Sequence, residues 1–129
     1  MKKQIFLSYD INTDADLKDI FLKEQEKSSF PFEVINFSSP MNNNEIVEKI
    51  SKSIKKSDLV IVLCGYKTNK SNNVTDELSV AIDNNIPYIL LNGKNEMNIT
   101  TPKNASPQDC ICTWSPANLH LLYYKLFLM

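Results

Sequence analysis

Apolar and polar positions fall in blocks along this chain. The most regular block is Leu59-Val60-Ile61-Val62-Leu63, a continuous run rich in β-branched residues and too short for a typical helix. Such a run predicts a strand buried on both faces, which implies a parallel sheet covered by helices. It ends at Cys64-Gly65, and a polar loop follows from Tyr66 to Asn73. Val74, Leu78, Ala81 and Ile82 then recur at helical spacing, and Asn84-Asn85 stops that helix. Pro87 leads into a second short strand, Tyr88-Ile89-Leu90-Leu91. This is a strand-loop-helix-strand unit, whose crossover is nearly always right-handed. Open sheets of this kind bind ligands outside the carboxyl ends of their strands. The pattern places Glu77 there, in the first turn of the helix.

The flanking blocks extend the same alternation. Gln4 to Leu7 predicts a first strand that runs into Ser8-Tyr9-Asp10. Thr13 or Asp14 can cap a helix with Leu17, Ile20 and Phe21 as its apolar stripe, ended by Ser28-Ser29. Phe32 to Phe37 predicts a second strand, and Ser38 to Asn44 a polar loop with Pro40 and three asparagines. Ile46, Val47, Ile50 and Ile54 mark a second helix, with Lys55-Lys56 where the helix dipole favours cations. Asn92 to Asp109 has no period and is expected to be loop. Ile111 to Trp114 predicts a last strand. Ser115-Pro116 reads as an N-cap and a first-turn proline, before a helix carrying Leu119, Leu122, Tyr123 and Leu126. The order β-α-β-α-β-α-β-loop-β-α predicts one domain over residues 1–129. Its class is α/β, a flavodoxin-like three-layer sandwich around a mainly parallel five-stranded sheet.

Composition narrows the chemistry. All 14 basic residues are Lys, against 15 acidic ones, for a net charge of −1. That balance points to neither nucleic acid nor an anionic membrane, and the lack of Arg removes the usual bidentate phosphate fork. Three cysteines and no apparent leader fit reduced thiols in a cytoplasm. Cys110-x-Cys112 is not a zinc spacing and His120 is the lone histidine, so no metal is expected. No apolar run is long enough to span a bilayer.

Three chemistries common on this architecture can be tested against the loops. A phosphorylated receiver needs an Asp after the third strand, where Cys64-Gly65 stands. A flavin site needs a glycine-bearing phosphate loop after the first strand. The only glycines are Gly65 and Gly93, which also exclude Walker and Rossmann loops. The third is cleavage of an N-glycosidic bond, which passes through an oxocarbenium-like sugar and needs a carboxylate beside it. Glu77 suits that role. A first-turn Glu also complements the helix dipole with no chemistry attached, and position alone leaves both readings open.

Ile5-Phe6-Leu7-Ser8-Tyr9, Ser57 to Gly65, Thr68, the Val74-x-x-Glu77-Leu78-x-x-Ala81 segment and Ile86-Pro87-Tyr88-Ile89 occur together in this order. In these segments the chain resembles the TIR-like family, including the TIR-like proteins of bacterial Thoeris antiphage systems, and the first is similar to the family's opening strand. Enzymatic members cleave NAD+ at the nicotinamide–ribose bond, and the resemblance puts the catalytic carboxylate at Glu77. It implies NAD+ as a substrate with no cofactor, and an ADP-ribose-derived signal, cyclic or conjugated, sensed by a downstream effector. It also implies self-association on activation, through a loop placed as Ser38 to Asn44. Nucleoside deoxyribosyltransferases share a similar strand-loop-helix with a Glu on a ribosyl substrate. Other TIR-like domains are interaction modules without activity. Asn73 stands where family members often carry Trp.

The remaining candidates each carry two readings. Ser8, Tyr9, Asp10 and Ser38 end strands at the ligand edge and can contact substrate, or Ser8 and Asp10 can satisfy turn amides. Thr68 can bind substrate or order its loop, and Tyr66 can stack on a base or stand in solvent. Cys64 reads as a small core residue and Trp114 as packing.

Overall fold

Strand β3 (Leu59–Cys64) is buried at every position. Its alternation splits the core in two. Leu59, Ile61 and Leu63 point into one cluster; Val60, Val62 and Cys64 point into the other. A strand buried on both faces needs a helical layer on each side, and the chain supplies two helices per face. The computed structural model describes residues 2–40, 42–92 and 98–128. The elements are β1 (Lys3–Ser8), α1 (Ala15–Glu24), β2 (Phe32–Phe37), α2 (Asn44–Lys56), β3, α3 (Asn72–Asp83), β4 (Tyr88–Asn92), β5 (Ile111–Thr113) and α4 (Pro116–Phe127). A 3-10 turn at Thr68–Lys70 precedes α3. The five strands lie in the order β2-β1-β3-β4-β5, and every pairing is parallel.

Helices α1 and α4 cover one face through Leu17, Phe21 and Leu119. Helices α2 and α3 cover the other through Ile50, Ile54, Val74 and Leu78. Trp114 packs against Phe21, with ring centroids 5.3 Å apart, so it serves the core. Cys64 is buried beside Asp14, and burial followed by the nearby carboxylate pushes its thiol up to about 12. Cys110 is exposed, and all three cysteines are free thiols.

Several expectations need correction. Helix α1 ends at Glu24, short of Ser28-Ser29; Gln25 caps it in helical geometry, and its side-chain oxygen accepts the Val34 backbone N–H at 2.9 Å, which ties the helix end to β2. The apolar stripes are narrower than hydropathy suggests. Ile20, Val47, Ile82 and Leu126 are each more than a third exposed, because the buried rows run through Leu17–Phe21, Ile50–Ile54 and Val74–Leu78 and leave neighbours at the stripe edge. Helix α3 begins at Asn72 with Ser71 as its N-cap, so Glu77 lies in the second turn and not the first. Dipole complementation in the first turn therefore does not explain it. Asn92, expected to open the loop, instead ends β4, paired with Cys64 and Thr113; residues 98–110 are free of helix and strand, while Gly93 and the rest of 93–97 lie outside the described residues.

Two local features position the strand ends. Gly65 approaches α1 closely: a Cβ there would lie 2.6 Å from both carboxylate oxygens of Asp14. Asn85 takes the left-handed conformation (φ 57°) that ends α3, which asparagine tolerates better than most residues. The Ile86 N–H then returns to the Ala81 carbonyl at 2.9 Å.

Candidate active site

Alternation along β1 builds the site. Ile5 and Leu7 face α1 and α4, and Phe6 faces α2 and α3. Ser8 continues the Phe6 face and so meets α3. Its hydroxyl donates to Glu77 Oε1 at 2.7 Å. The Ser38 hydroxyl, one residue beyond β2, donates to the same oxygen at 2.6 Å. Asn73, one turn before Glu77 on α3, brings its Nδ2 to 3.5 Å from Oε1. Three elements thus converge on one oxygen of one carboxylate.

The second oxygen is different. Glu77 is 1 % exposed, and its Oε2 is buried without a hydrogen-bond partner. Burial raises the carboxyl to about 7, against the opposing pull of Ser38, Ser8 and Asn73, with a small further push from Asp76. Near neutral pH this group is therefore poised between acid and base. A buried carboxylate with neutral donors on one oxygen and none on the other is suited to face a developing positive charge.

The same side chains are tied to one another. Tyr9 N–H donates to Ser38 Oγ at 3.1 Å, and the Tyr9 hydroxyl donates to the Ser38 carbonyl at 2.8 Å. Asn73 Nδ2 also donates to the Tyr9 carbonyl at 2.9 Å. Burial, then the Glu77 and Asp19 charges, raise the Tyr9 hydroxyl to about 12, which keeps it a donor.

Glu77, Ser8, Tyr9 and Ser38 therefore form one cluster, while the other sequence candidates stand apart from it. Asp10 accepts from the Asn12 N–H at 3.2 Å and the Thr13 hydroxyl at 2.9 Å, so its carboxylate shapes its own turn. It also lines a cleft beside the cluster. Thr68 is buried, and its Oγ1 accepts the Gly65 N–H at 2.8 Å, which orders the loop after β3. Tyr66 is 51 % exposed, with the Lys67 ammonium 5.7 Å from its ring. Asn73 is the member that sequence reasoning did not assign. The signal for it was its i, i+4 spacing to Glu77 on one helix face.

Two clefts flank the cluster, and Asp76 lines both. One, about 440 Å³, runs along the loop after β1 and the start of α3, with Lys67, Lys70, Asn72 and Asn73 in its wall. The other, about 420 Å³, lies between α2 and α3, and Glu77 lines it. Among the described residues no group of three His, Cys, Asp or Glu side chains is placed to hold a metal. No helix among them is long and apolar enough to cross a membrane.

The sequence matches the family model for the TIR-like domain of the Thoeris protein ThsB, over residues 6–98. The chain belongs to this family. The TIR-like match runs from the second half of β1 through β4 and includes every member of the Glu77 cluster; β5 and α4 lie beyond it. A comparison with curated proteins gives no match.

Proposed function

We propose that this TIR-like domain cleaves the nicotinamide–ribose bond of NAD+, with Glu77 as the catalytic carboxylate. The observation that carries the reading is the asymmetric burial of Glu77: Oε1 is saturated by Ser8, Ser38 and Asn73, and Oε2 has no partner. In the reaction the C1′–N bond breaks and its electron pair moves to the ring nitrogen, which leaves neutral nicotinamide. The ribosyl C1′ becomes oxocarbenium-like, and the Glu77 carboxylate balances that charge. A hydroxyl, from water or from a sugar, then bonds to C1′ and releases its proton to solvent. Ser8, Ser38 and Asn73 are positioning residues that fix the carboxylate and partly offset the burial that disfavours its ionised form.

Within a Thoeris system the product is an ADP-ribose-derived signal, cyclic or conjugated, that a downstream effector senses in the bacterial cytoplasm. A small domain with shallow clefts leaves a dinucleotide partly in water. A second copy brought up against the loop that starts at Ser38 and ends at Asn43, the N-cap of α2, closes the site; Met41 in that loop lies outside the described residues. The test is direct: purified protein, incubated with NAD+ over a dilution series, releases nicotinamide with a specific activity that rises with concentration. No release under any condition, with or without infected-cell extract, would leave the interaction-module reading. That reading draws on the outer face of α4, where Leu121 and Tyr124, with Leu128 just past its end, are at least half exposed.

A further inference from the structure

Tyr9 belongs to the Glu77 cluster, yet both of its donors go to Ser38. Its side chain is buried and its hydroxyl is engaged by the Ser38 carbonyl, so it offers a substrate little. Its backbone reaches further. The Tyr9 N–H donates to Ser38 Oγ at 3.1 Å, and the Tyr9 carbonyl accepts from Asn73 Nδ2 at 2.9 Å. Ser38 and Asn73 are two of the three donors to Glu77 Oε1, and the third, Ser8, directly precedes Tyr9 at the end of β1. One dipeptide therefore places all three. Direction matters as much as place. A hydroxyl carries one hydrogen and rotates to suit its partners. Because Ser38 Oγ accepts the Tyr9 N–H, its own hydrogen is left for Glu77, 2.6 Å away. Asn73 is turned from its other end: its Oδ1 accepts the Ser71 hydroxyl at 2.9 Å, which leaves Nδ2 for Tyr9 and Glu77. Bonds chained in this way polarise one another.

Resting on the NAD+ reading above, we propose that Tyr9 is a positioning residue for Glu77: its phenol pins the Ser38 carbonyl and so keeps the Ser38 hydroxyl aimed at the carboxylate. Ser38 is held on every polar atom. Its N–H donates to the Leu7 carbonyl at 3.0 Å, its carbonyl accepts from the Tyr9 hydroxyl at 2.8 Å, and its Oγ lies between the Tyr9 N–H and Glu77. Since Ser38 also opens the loop toward α2, the same clamp keeps movements of that loop from reaching the carboxylate. The groups around Glu77 give the clamp its effect. On α3, Asp76 adds a small push upward to the Glu77 carboxyl. From the end of β1, the Tyr9 hydroxyl stays neutral, raised to about 12. Helix α2 brings Val47, Ile50, Ser51 and Ile54 to the groove that Glu77 also lines, all uncharged. Neutral donors thus carry the opposition to burial, and Ser38 is the first among them.

The test follows the carboxyl-carbon NMR resonance of Glu77, assigned by its loss in Glu77→Gln, through a pH titration. Tyr9→Phe removes the phenol oxygen and keeps the ring. Its midpoint should rise above the wild-type value by about 0.5 in pH, as when part of one hydrogen bond to the charged form is lost. In a Ser38→Ala background the same substitution should add nothing, because no hydroxyl remains to be aimed. Nicotinamide release at pH 7 should fall roughly twofold and recover at pH 9, while KM for NAD+ stays within about twofold of wild type. A ring that only fills the core would lower the melting temperature and leave the midpoint in place, and that result overturns the proposal. A substrate contact would raise KM equally in both backgrounds with the midpoint unmoved, and that overturns it too. If Tyr9→Phe is too unstable to titrate, Tyr9→Met fills the space flexibly without a hydroxyl and carries the same expectations. A midpoint that moves as stated in a protein releasing no nicotinamide upholds the clamp and sinks the catalytic reading, so the two fail separately.

Discussion

Helix α3 is held at its two margins by polar networks of different kinds. On the margin facing the ends of β1 and β2, Glu77 is a buried acid whose Oε1 takes donors from Ser8, Ser38 and Asn73 and whose Oε2 takes none. On the margin facing the segment after β4, neutral groups do the work. Asn104 Nδ2 donates to the Thr75 carbonyl at 3.0 Å and the Ser79 hydroxyl at 2.9 Å. Thr100 Oγ1 accepts the Asn69 N–H at 2.9 Å and lies 3.2 Å from the Gly65 carbonyl. Asn104 Oδ1 is also buried without a partner, so incomplete satisfaction occurs on both sides. The cost differs. A neutral amide oxygen left unpaired costs about 1–3 kcal/mol. A carboxylate costs more, which is why burial pushes the Glu77 carboxyl to about 7. Structural anchoring is achieved on the neutral margin without any charge; the charged margin needs a further reason, and the proposed catalytic role would supply one.

The largest expected break in this comparison is Glu77→Gln. It keeps the acceptor for Ser8 and Ser38 but removes the charge. Nicotinamide release should fall roughly a hundredfold or more, as expected for a preorganised electrostatic group. Stability should move the other way above neutrality. The folded-state pKa of Glu77, about 7, lies above its ordinary 4.5, so the folded protein binds more protons between those values. The wild type therefore loses stability as pH rises from about 4.5 through about 7, on the order of 3 kcal/mol in all. The Gln variant lacks this dependence, so melting at pH 8 and pH 5 should show its relative advantage only at pH 8. Full turnover in a folded Gln variant would end the catalytic role of this carboxylate.

Ser38→Ala is expected to act next. Its hydroxyl is the strongest of the influences that lower the Glu77 carboxyl, ahead of Ser8 and Asn73. Without it the carboxyl rises further, so the ionised fraction at pH 7 falls. The rise of nicotinamide release with pH, expected to centre near 7 in the wild type, should move to higher pH in this variant, and activity at pH 7 should drop more than activity at pH 9. An unmoved midpoint would mean that Ser38 holds the loop and does not tune the acid.

The sheet was readable because each strand advertised itself: β2 falls on Phe32–Phe37 as the pattern predicts, and Val62 is fully buried in the central strand. The Ser115-Pro116 start of α4 was also readable, since the Ser115 hydroxyl accepts the Asn118 N–H at 3.1 Å. Hydropathy failed on α3, and for a physical reason. Glu77 and Ile82 lie on opposite flanks of the buried row, and the structure buries the acid while leaving Ile82 43 % exposed. Only tertiary donors from β1 and the loop after β2 make that burial tolerable, and no local pattern encodes them. Thr100 and Asn104 were hidden for a related reason: they sit in an aperiodic stretch, and their partners are about thirty residues away.

The smallest predicted effect tests the neutral margin. Thr100→Val keeps the shape of the side chain and removes its oxygen, which leaves the Asn69 N–H without its acceptor. The Gly65 carbonyl keeps the Thr100 backbone N–H at 2.9 Å, so the loop after β3 retains one tie to this segment. Stability should therefore drop by only about 1 kcal/mol, the usual size of a lost neutral hydrogen bond. For a domain of this length that is roughly 3–5 °C in melting temperature. Catalysis should respond differently from the Ser38 variant. The hydrogen bonds of Thr100 go to Gly65, Tyr66 and Asn69 and not to the Glu77 cluster, so the pH midpoint and the saturating rate of nicotinamide release should match wild type. A shift of that midpoint in Thr100→Val would show that the two margins communicate through α3, and that the neutral network sets the position of the acid as well as the stability of the fold.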